Sequence, residues 1–301
     1  MFQKLKKYLK SEGHFKLSRV AFVNGQYCDY SKALIHVEDR GYQFADGVYE
    51  VFTIVDSCII DFQPHLKRLF RSLSELKIVT PIKKSAYLYH IKNIIKKNLI
   101  ISGTVYLQVT RGVAKRDFKY PKDIKSSITI IGKIISEDNF YKDIYNGINV
   151  KTTRDLRWKR CDIKSLNLLP PVLAKQYAYE NNSKEAWLLD DNGFVTEGSS
   201  STAWILDKQN VLRTSSLKNN ILPGITRETF LKGLSKHKIK FKESSFNIKD
   251  IGSAKEAFIT SATTFVTPVN MVDNIKIGKG KPGKLAPIFL DIYKKALKYQ
   301  T

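Results

Sequence analysis

Lys164 has neighbours that set it apart from the other lysines of this chain. It lies in the run Arg157-Trp158-Lys159-Arg160-Cys161-Asp162-Ile163-Lys164-Ser165-Leu166-Asn167-Leu168-Leu169, after a β-type segment and before an apolar stretch that reads as a buried helix. Ile163, Leu166 and Leu168 surround it with apolar side chains, and burial disfavours the charged ammonium. A lysine kept as a neutral amine is a nucleophile that can hold an aldehyde. Further along, Val195-Thr196-Glu197-Gly198-Ser199-Ser200-Ser201 sets a lone carboxylate, Glu197, in a Gly/Ser-rich turn. Gly198 there lets the backbone approach a ligand. An amine for an aldehyde and a carboxylate that keeps a ring nitrogen protonated together suit an imine-forming cofactor. Each has a plainer reading when taken alone: a solvated lysine, and a turn carboxylate satisfied by backbone amides.

Other residues fit the same chemistry. Leu222-Pro223-Gly224-Ile225-Thr226-Arg227 precedes a helix, whose first N–H groups and dipole favour a phosphate; an ordinary capped helix is the alternative. Arg68, in the helical run His65-Leu66-Lys67-Arg68-Leu69, is a candidate second phosphate ligand, against a solvent-facing arginine. In Arg40-Gly41-Tyr42-Gln43-Phe44-Ala45-Asp46-Gly47-Val48-Tyr49-Glu50, Tyr49 either points its phenol at a ligand or packs in a core. Gln108 to Phe118 reads as a strand entering a basic loop, where Arg116 can fork onto a substrate carboxylate or remain solvated.

These residues need elements to hold them. Asn24-Gly25 between Val20 and Tyr30 signals a hairpin, and Gly47 to Phe62 is β-rich with a break at Asp56-Ser57. Leu66, Leu69, Phe70, Leu73 and Leu76 recur at helical spacing, as do Ile91, Ile94, Ile95 and Leu99. Strands are expected over Thr104–Val109 and Ser127–Ile135. The polar stretch Ser136–Gly147 is the linker candidate. Beyond it come a strand from Ile148 to Thr153, a helix from Pro170-Pro171 to about Glu180, and strands over Glu185–Leu189 and Phe194–Leu206. A helix starts near Thr226, a strand covers Ala257–Ser261, and a last helix spans roughly Leu285 to Lys298. The first half is therefore an α+β domain.

The composition sets limits on function. The 301 residues suffice for two domains, and 43% apolar with 26% charged residues is ordinary for a globular chain. No apolar run is long enough to span a bilayer. Residues 1–19 are basic, lack a signal-peptide core, and place Phe2, Leu5 and Leu9 at the spacing of a short amphipathic helix. Cys28, Cys58 and Cys161 form no CxxC, which points to a reduced cytosolic chain without a disulfide framework or zinc site. The formal charge of +23 suits a nucleic-acid binder, but its lysines are spread along the whole chain with no nucleic-acid motif, so a solvated basic surface is the better reading.

From about Val20 to the C-terminal helix, the chain resembles the fold-type IV pyridoxal-phosphate transaminases, and among them the D-amino acid transaminases. Asp39–Glu50, Leu156–Gln176 and Val195–Ser201 carry the resemblance most specifically. It implies a two-domain α+β fold of the branched-chain/D-amino acid transaminase type, divided into residues 1–138, with the basic extension, and a cofactor-binding domain over 139–301. It implies pyridoxal 5'-phosphate as cofactor and a D-alanine-like amino acid and a 2-oxo acid as substrates. The expected setting is a cytoplasmic homodimer without nucleic-acid or membrane partners. Lys164 matches the family's cofactor-binding lysine and proton shuttle, and Glu197 its partner for the pyridine nitrogen. Arg68 and the backbone of Ile225 and Thr226 match the phosphate cup. Tyr49 and Arg116 match the carboxylate trap, whose arginine comes from the neighbouring subunit. Two positions depart from the pattern. Phe118 stands where the trap has a histidine, and Ala262, in Ser261-Ala262-Thr263, stands where a phosphate-binding threonine is common. Phenylalanine donates no hydrogen bond. A branched-chain transaminase or an aminodeoxychorismate lyase of the same fold is the nearest alternative, and a basic binding protein is the alternative of another class.

Overall fold

A computed structural model describes residues 19–300, apart from Asn219, Lys236 and Lys238. The helix expected around Phe2, Leu5 and Leu9 lies outside the described residues. Among these residues the strands form two sheets.

The first sheet is antiparallel and contains seven strands. β1 (Val20–Val23) and β2 (Gln26–Asp29) form the expected hairpin, with Asn24 and Gly25 both at positive φ, the geometry a two-residue turn demands. β3 (Gly47–Val55) and β4 (Cys58–Ile60) follow, broken at Asp56 and Ser57, also at positive φ. β5 (Gly103–Thr110) and β6 (Ser127–Ile134) complete the centre. The outer strand against β4 is β16 (Tyr299–Gln300), from the far end of the chain.

Three helices accompany this sheet. A short α1 (Arg40–Phe44) is capped by the Asp39 side chain. α2 (Phe62–Glu75) turns Leu66, Leu69 and Leu73 into the core while Lys67 and Arg71 face solvent. α3 (Ala86–Lys97) buries Tyr87, Ile91, Ile94 and Ile95. Phe22, Phe52, Ile54, Leu107 and Ile130 of the strands meet them in one cluster.

The second sheet runs in the order β12 (Lys240–Glu243), β11 (Val211–Thr214), β10 (Thr202–Leu206), β13 (Glu256–Ser261), β14 (Phe265–Val272), β7 (Ile148–Arg154), β8 (Glu185–Leu189) and β9 (Val195–Gly198), with β15 (Ile275–Lys276) against β14. β7 pairs in parallel with both β14 and β8, with α5 (Leu169–Glu180) as the crossover to β8. On one face, α6 (Ile225–Leu234) and α8 (Leu285–Ala296) pack Phe230, Phe289 and Tyr293 onto Trp204 and Phe258. On the other face, Trp187, Ile205 and Ile259 meet Phe246, which precedes α7 (Ile248–Gly252), and Ile251 within it.

Two expected elements differ. The stretch read as a linker, Ser136–Gly147, contains the helix α4 (Glu137–Asn146). Ile144 is buried among the aromatic residues of the second sheet and Tyr141 packs beside it, so tertiary contact stabilises a turn-prone polar sequence as helix. The strand expected over Phe194–Leu206 is two strands, parted at Ser199–Ser201. The hydroxyls of all three serines donate to the buried carboxylate of Glu185, which bends the chain out of the ladder.

Candidate active site

Lys164 sits in the connection between β7 and α5, and backbone pairing fixes that connection on β3. Tyr49 N donates to Lys164 O at 3.0 Å, Leu166 N donates to Gly47 O at 3.0 Å, and Val48 bridges to Ser165. Gly47 is required for this approach, because a Cβ there would lie 2.6 Å from Val109 O and 2.8 Å from Leu166 Cδ1. The half-buried Lys164 side chain ends 4.2 Å from the centroid of the Tyr49 ring. Both residues line a cavity of about 220 Å³ between the two sheets.

Glu197, on β9, forms another wall and is 5% exposed. It accepts hydrogen bonds from Arg157 Nη1 and, at 3.1 Å, from Leu222 N. Arg157 is shared. Its Nε and Nη2 go to Asp155 at 2.9 and 2.7 Å, and Asp155 also accepts from Thr196 Oγ1 at 2.7 Å. The two carboxylates therefore titrate apart. Burial raises Asp155, but the hydrogen bonds and charge of Arg157 outweigh it and hold the group below the usual range. Burial pushes Glu197 up, and its single contact with Arg157 offsets only part of that. A carboxylate that keeps its proton more readily than usual thus faces the cavity.

The opposite wall is cationic. Burial opposes the charge of Glu50 on β3, yet Arg68 and then His65 hold that carboxyl at about 2. Arg68 Nε and Nη2 donate to Glu50 at 2.7 and 2.8 Å, and His65 Nδ1 lies 2.7 Å from Glu50 Oε2. Arg68 Nη1 reaches Pro223 O at 2.8 Å, beside the start of α6. Of five guanidinium N–H groups these bonds use three, which leaves two for an anion. α6 begins at Gly224 with no side-chain cap, so its first-turn N–H groups remain available at the cavity.

Seven of the nine expected site residues meet here. Lys164, Glu197, Arg68, Ile225, Thr226, Ala262 and Tyr49 all line the cavity, with Thr263 beside Ala262. Arg116 and Phe118 do not. Both are exposed on the connection between β5 and β6, where the Arg116 guanidinium rests 4.7 Å from the Phe44 ring centroid. Phe118 is 84% exposed, its ring 5.6 Å from that of Phe44. Sequence reasoning missed Arg157, Asp155 and Glu185. The only sequence sign of the first two is their i, i+2 spacing in an extended segment, which puts both on one side.

Comparison with known proteins identifies the family. The profile of the amino-transferase class IV family matches residues 47–272. The chain is 39% identical over 264 residues to a D-alanine aminotransferase of Staphylococcus haemolyticus, covering 87% of this chain and 92% of that one. It is 38% identical over 262 residues to the D-alanine aminotransferase of Bacillus licheniformis, covering 87% and 91%. Among solved structures, the T.th. branched-chain amino acid aminotransferase with pyridoxamine 5'-phosphate superposes with a TM-score of 0.85 at 21% identity, covering 92% of this chain and 93% of that one. The branched-chain enzyme of Escherichia coli gives 0.80 at 21% identity, covering 90% and 92%. The chain belongs to the class IV aminotransferases.

Proposed function

We propose that this class IV aminotransferase transfers the amino group of a D-alanine-like D-amino acid to a 2-oxo acid, 2-oxoglutarate or pyruvate, with pyridoxal 5'-phosphate as cofactor. The observation that carries the reading is that Lys164, Glu197 and the Arg68–α6 wall bound one cavity from three sides. The residues present fit the cofactor. Two unengaged Arg68 donors and the uncapped α6 match a phosphate, Glu197 matches a ring nitrogen, and Lys164 matches an aldehyde. Thr263 and the nearby backbone stand in for the hydroxyl that Ala262 lacks. When bound, the cofactor supplies an aldehyde that takes up amines and a pyridinium ring that accepts the electron pair left by the departing α-proton.

The chain's own residues then act as follows. Arg68 and the N–H groups of Ile225 and Thr226 hold the phosphate. Glu197 would face the ring nitrogen and share a proton with it, which keeps the ring cationic. Lys164 Nζ would hold the aldehyde and, once freed, would serve as the base that takes the substrate α-proton and as the acid that returns it. Tyr49, beside Lys164, and Arg116 of a neighbouring subunit orient the substrate carboxylate, which explains why Arg116 stands outside its own chain's cavity. On this reading the protein is a homodimer, located in the cytoplasm, with its domains meeting near residues 138 and 139.

Purified protein loaded with pyridoxal phosphate is expected to absorb in the visible, and borohydride reduction with peptide mapping is expected to label Lys164. D-alanine with 2-oxoglutarate should yield pyruvate. Turnover of L-leucine instead, or pyruvate release from aminodeoxychorismate, would replace the substrate assignment with one of its two same-fold rivals. A colourless protein with salt-sensitive nucleic-acid binding would overturn the reading.

A further inference from the structure

The connection between β5 and β6 carries Arg116 on an exposed loop, yet a buried set of charges holds that loop in place. Asp46 Oδ2 accepts from Arg40 Nε at 2.8 Å and from Arg111 Nε at 2.7 Å, and its Oδ1 accepts from Arg111 Nη2 at 3.0 Å. Both arginines are 3% exposed. Arg111 is tied to the end of α2 through Leu76 O at 2.7 Å and Lys77 O at 3.1 Å.

Each arginine then reaches the loop. Arg40 Nη1 donates to Asp117 O, next to Arg116, at 2.6 Å. The Arg111 guanidinium lies 3.5 Å from the centroid of the Tyr120 ring. One carboxylate thus fixes two cations, and these hold the loop at Asp117 and at Tyr120. Phe44 provides the platform, with Arg40 and Arg116 each 4.7 Å from its centroid and Phe118 packed beside it. Burying two guanidinium groups on one carboxylate is expensive in desolvation, and apolar packing would hold a loop at less cost. Charge-assisted bonds with fixed direction supply orientation instead.

We propose that Asp46, Arg40 and Arg111 form a positioning unit that aims Arg116 at the substrate carboxylate, with Phe44 as its platform. In this chain Phe118 belongs to the platform, giving packing where a histidine would give a donor. The proposal rests on Arg116 being the carboxylate ligand.

The test is steady-state kinetics of the full-length holoenzyme toward D-alanine in four single variants and one double variant. Arg40→Met removes the bond to Asp117 O and leaves the Asp46–Arg111 pair. Its KM for D-alanine should rise about tenfold or more, with kcat and cofactor absorbance little changed, since a carboxylate contact made equally in the ground and transition states moves KM and not kcat. Arg40→Lys, which keeps a donor, should recover part of the loss. Asp46→Asn should raise KM further; if it fails to fold, Arg40→Met carries the test alone. In an Arg116→Ala background, Arg40→Met should add nothing, because a positioning residue acts through the residue it positions. Unchanged KM in Arg40→Met beside a raised KM in Arg116→Ala, or additive effects in the double variant, would overturn the proposal and leave the reading of Arg116 standing. Unchanged KM in Arg116→Ala would remove that reading, and the proposal with it.

Discussion

Glu197 and Asp155 compete for one guanidinium, and Asp155 wins most of its hydrogen bonds. That division leaves the carboxylate facing the cavity ready to hold a proton. Glu197→Gln keeps the shape but cannot hold the ring proton. It should retain the cofactor absorbance and lose turnover by about a hundredfold or more, as read by single-turnover kinetics with D-alanine. Arg116 and Phe118 set the second residue-scale expectation. Losing a charge-assisted bond to the substrate carboxylate costs about 1.5–3 kcal/mol. Arg116→Ala should therefore weaken D-alanine binding roughly ten- to a hundredfold, with the cofactor still bound. Phe118→His restores a donor at the loop tip and should tighten D-alanine binding in the same titration. Because Phe118 also packs on Phe44, a looser complex would mean that packing outweighs the donor at this position.

The helix α2 and the strand β3 act together through Glu50. Arg68 is held at the cavity wall because Glu50 fixes two of its nitrogens and His65 braces the same carboxylate. The charge state of Glu50 makes this element pair sensitive to acid. Its folded-state value, about 2, lies below the ordinary 4.5, so its contribution to stability is complete above about pH 4.5. That contribution fades as pH falls from there toward 2. Glu50→Gln should cost on the order of 3 kcal/mol at neutral pH, since it leaves a buried arginine unpaired. The difference between wild type and variant in urea unfolding should shrink as the pH is lowered through that window. A difference independent of pH would show that Glu50 is not the titrating group. The same variant should release phosphate-bearing cofactor more readily, measured by dialysis against absorbance.

The end of the chain joins the two sheets. β16 extends the first sheet while α8, just before it, packs in the second. Asp61, 2% exposed at the start of α2, ties both to the site. Its side chain accepts from Thr229 Oγ1 of α6 at 2.9 Å and from Lys298 N at 3.3 Å, and its backbone N–H donates to Lys298 O at 2.8 Å. Tyr293 of α8 packs with Phe230 and Leu234 of α6, the helix that borders the cavity. Truncation after Leu297 strips a buried carboxylate of a partner and exposes the β4 edge. It should lower the melting temperature by about 2–4 °C for each kcal/mol lost and weaken cofactor retention together with stability. Normal retention in a destabilised variant would confine the tail's role to the first sheet. At the same scale, the proposed homodimer predicts twice the chain mass in light scattering.

The sequence alone determined the parts whose physics is local. The hairpin at Asn24-Gly25, the helical spacing of Leu66, Leu69 and Leu73, and the Pro170-Pro171 helix start rest on backbone preferences and periodicity over a few residues. Lys164, Glu197, Ile225 and Thr226 were legible because amine, carboxylate and helix start each carry a chemical signature in their own segment, whereas Arg68, Tyr49 and Ala262 stood out mainly through the family resemblance. Tertiary structure decided the rest. Ser136–Gly147 became helical only because Ile144 has a core to enter, and the strand after Phe194 split because Glu185, distant in sequence, gathers three serines. Arg157 mattered only once Glu197 was brought within its reach, and Asp46 only once Arg40 and Arg111 converged on it. Ion-pair geometry depends on which segments fold against one another, and no spacing along the chain encodes it.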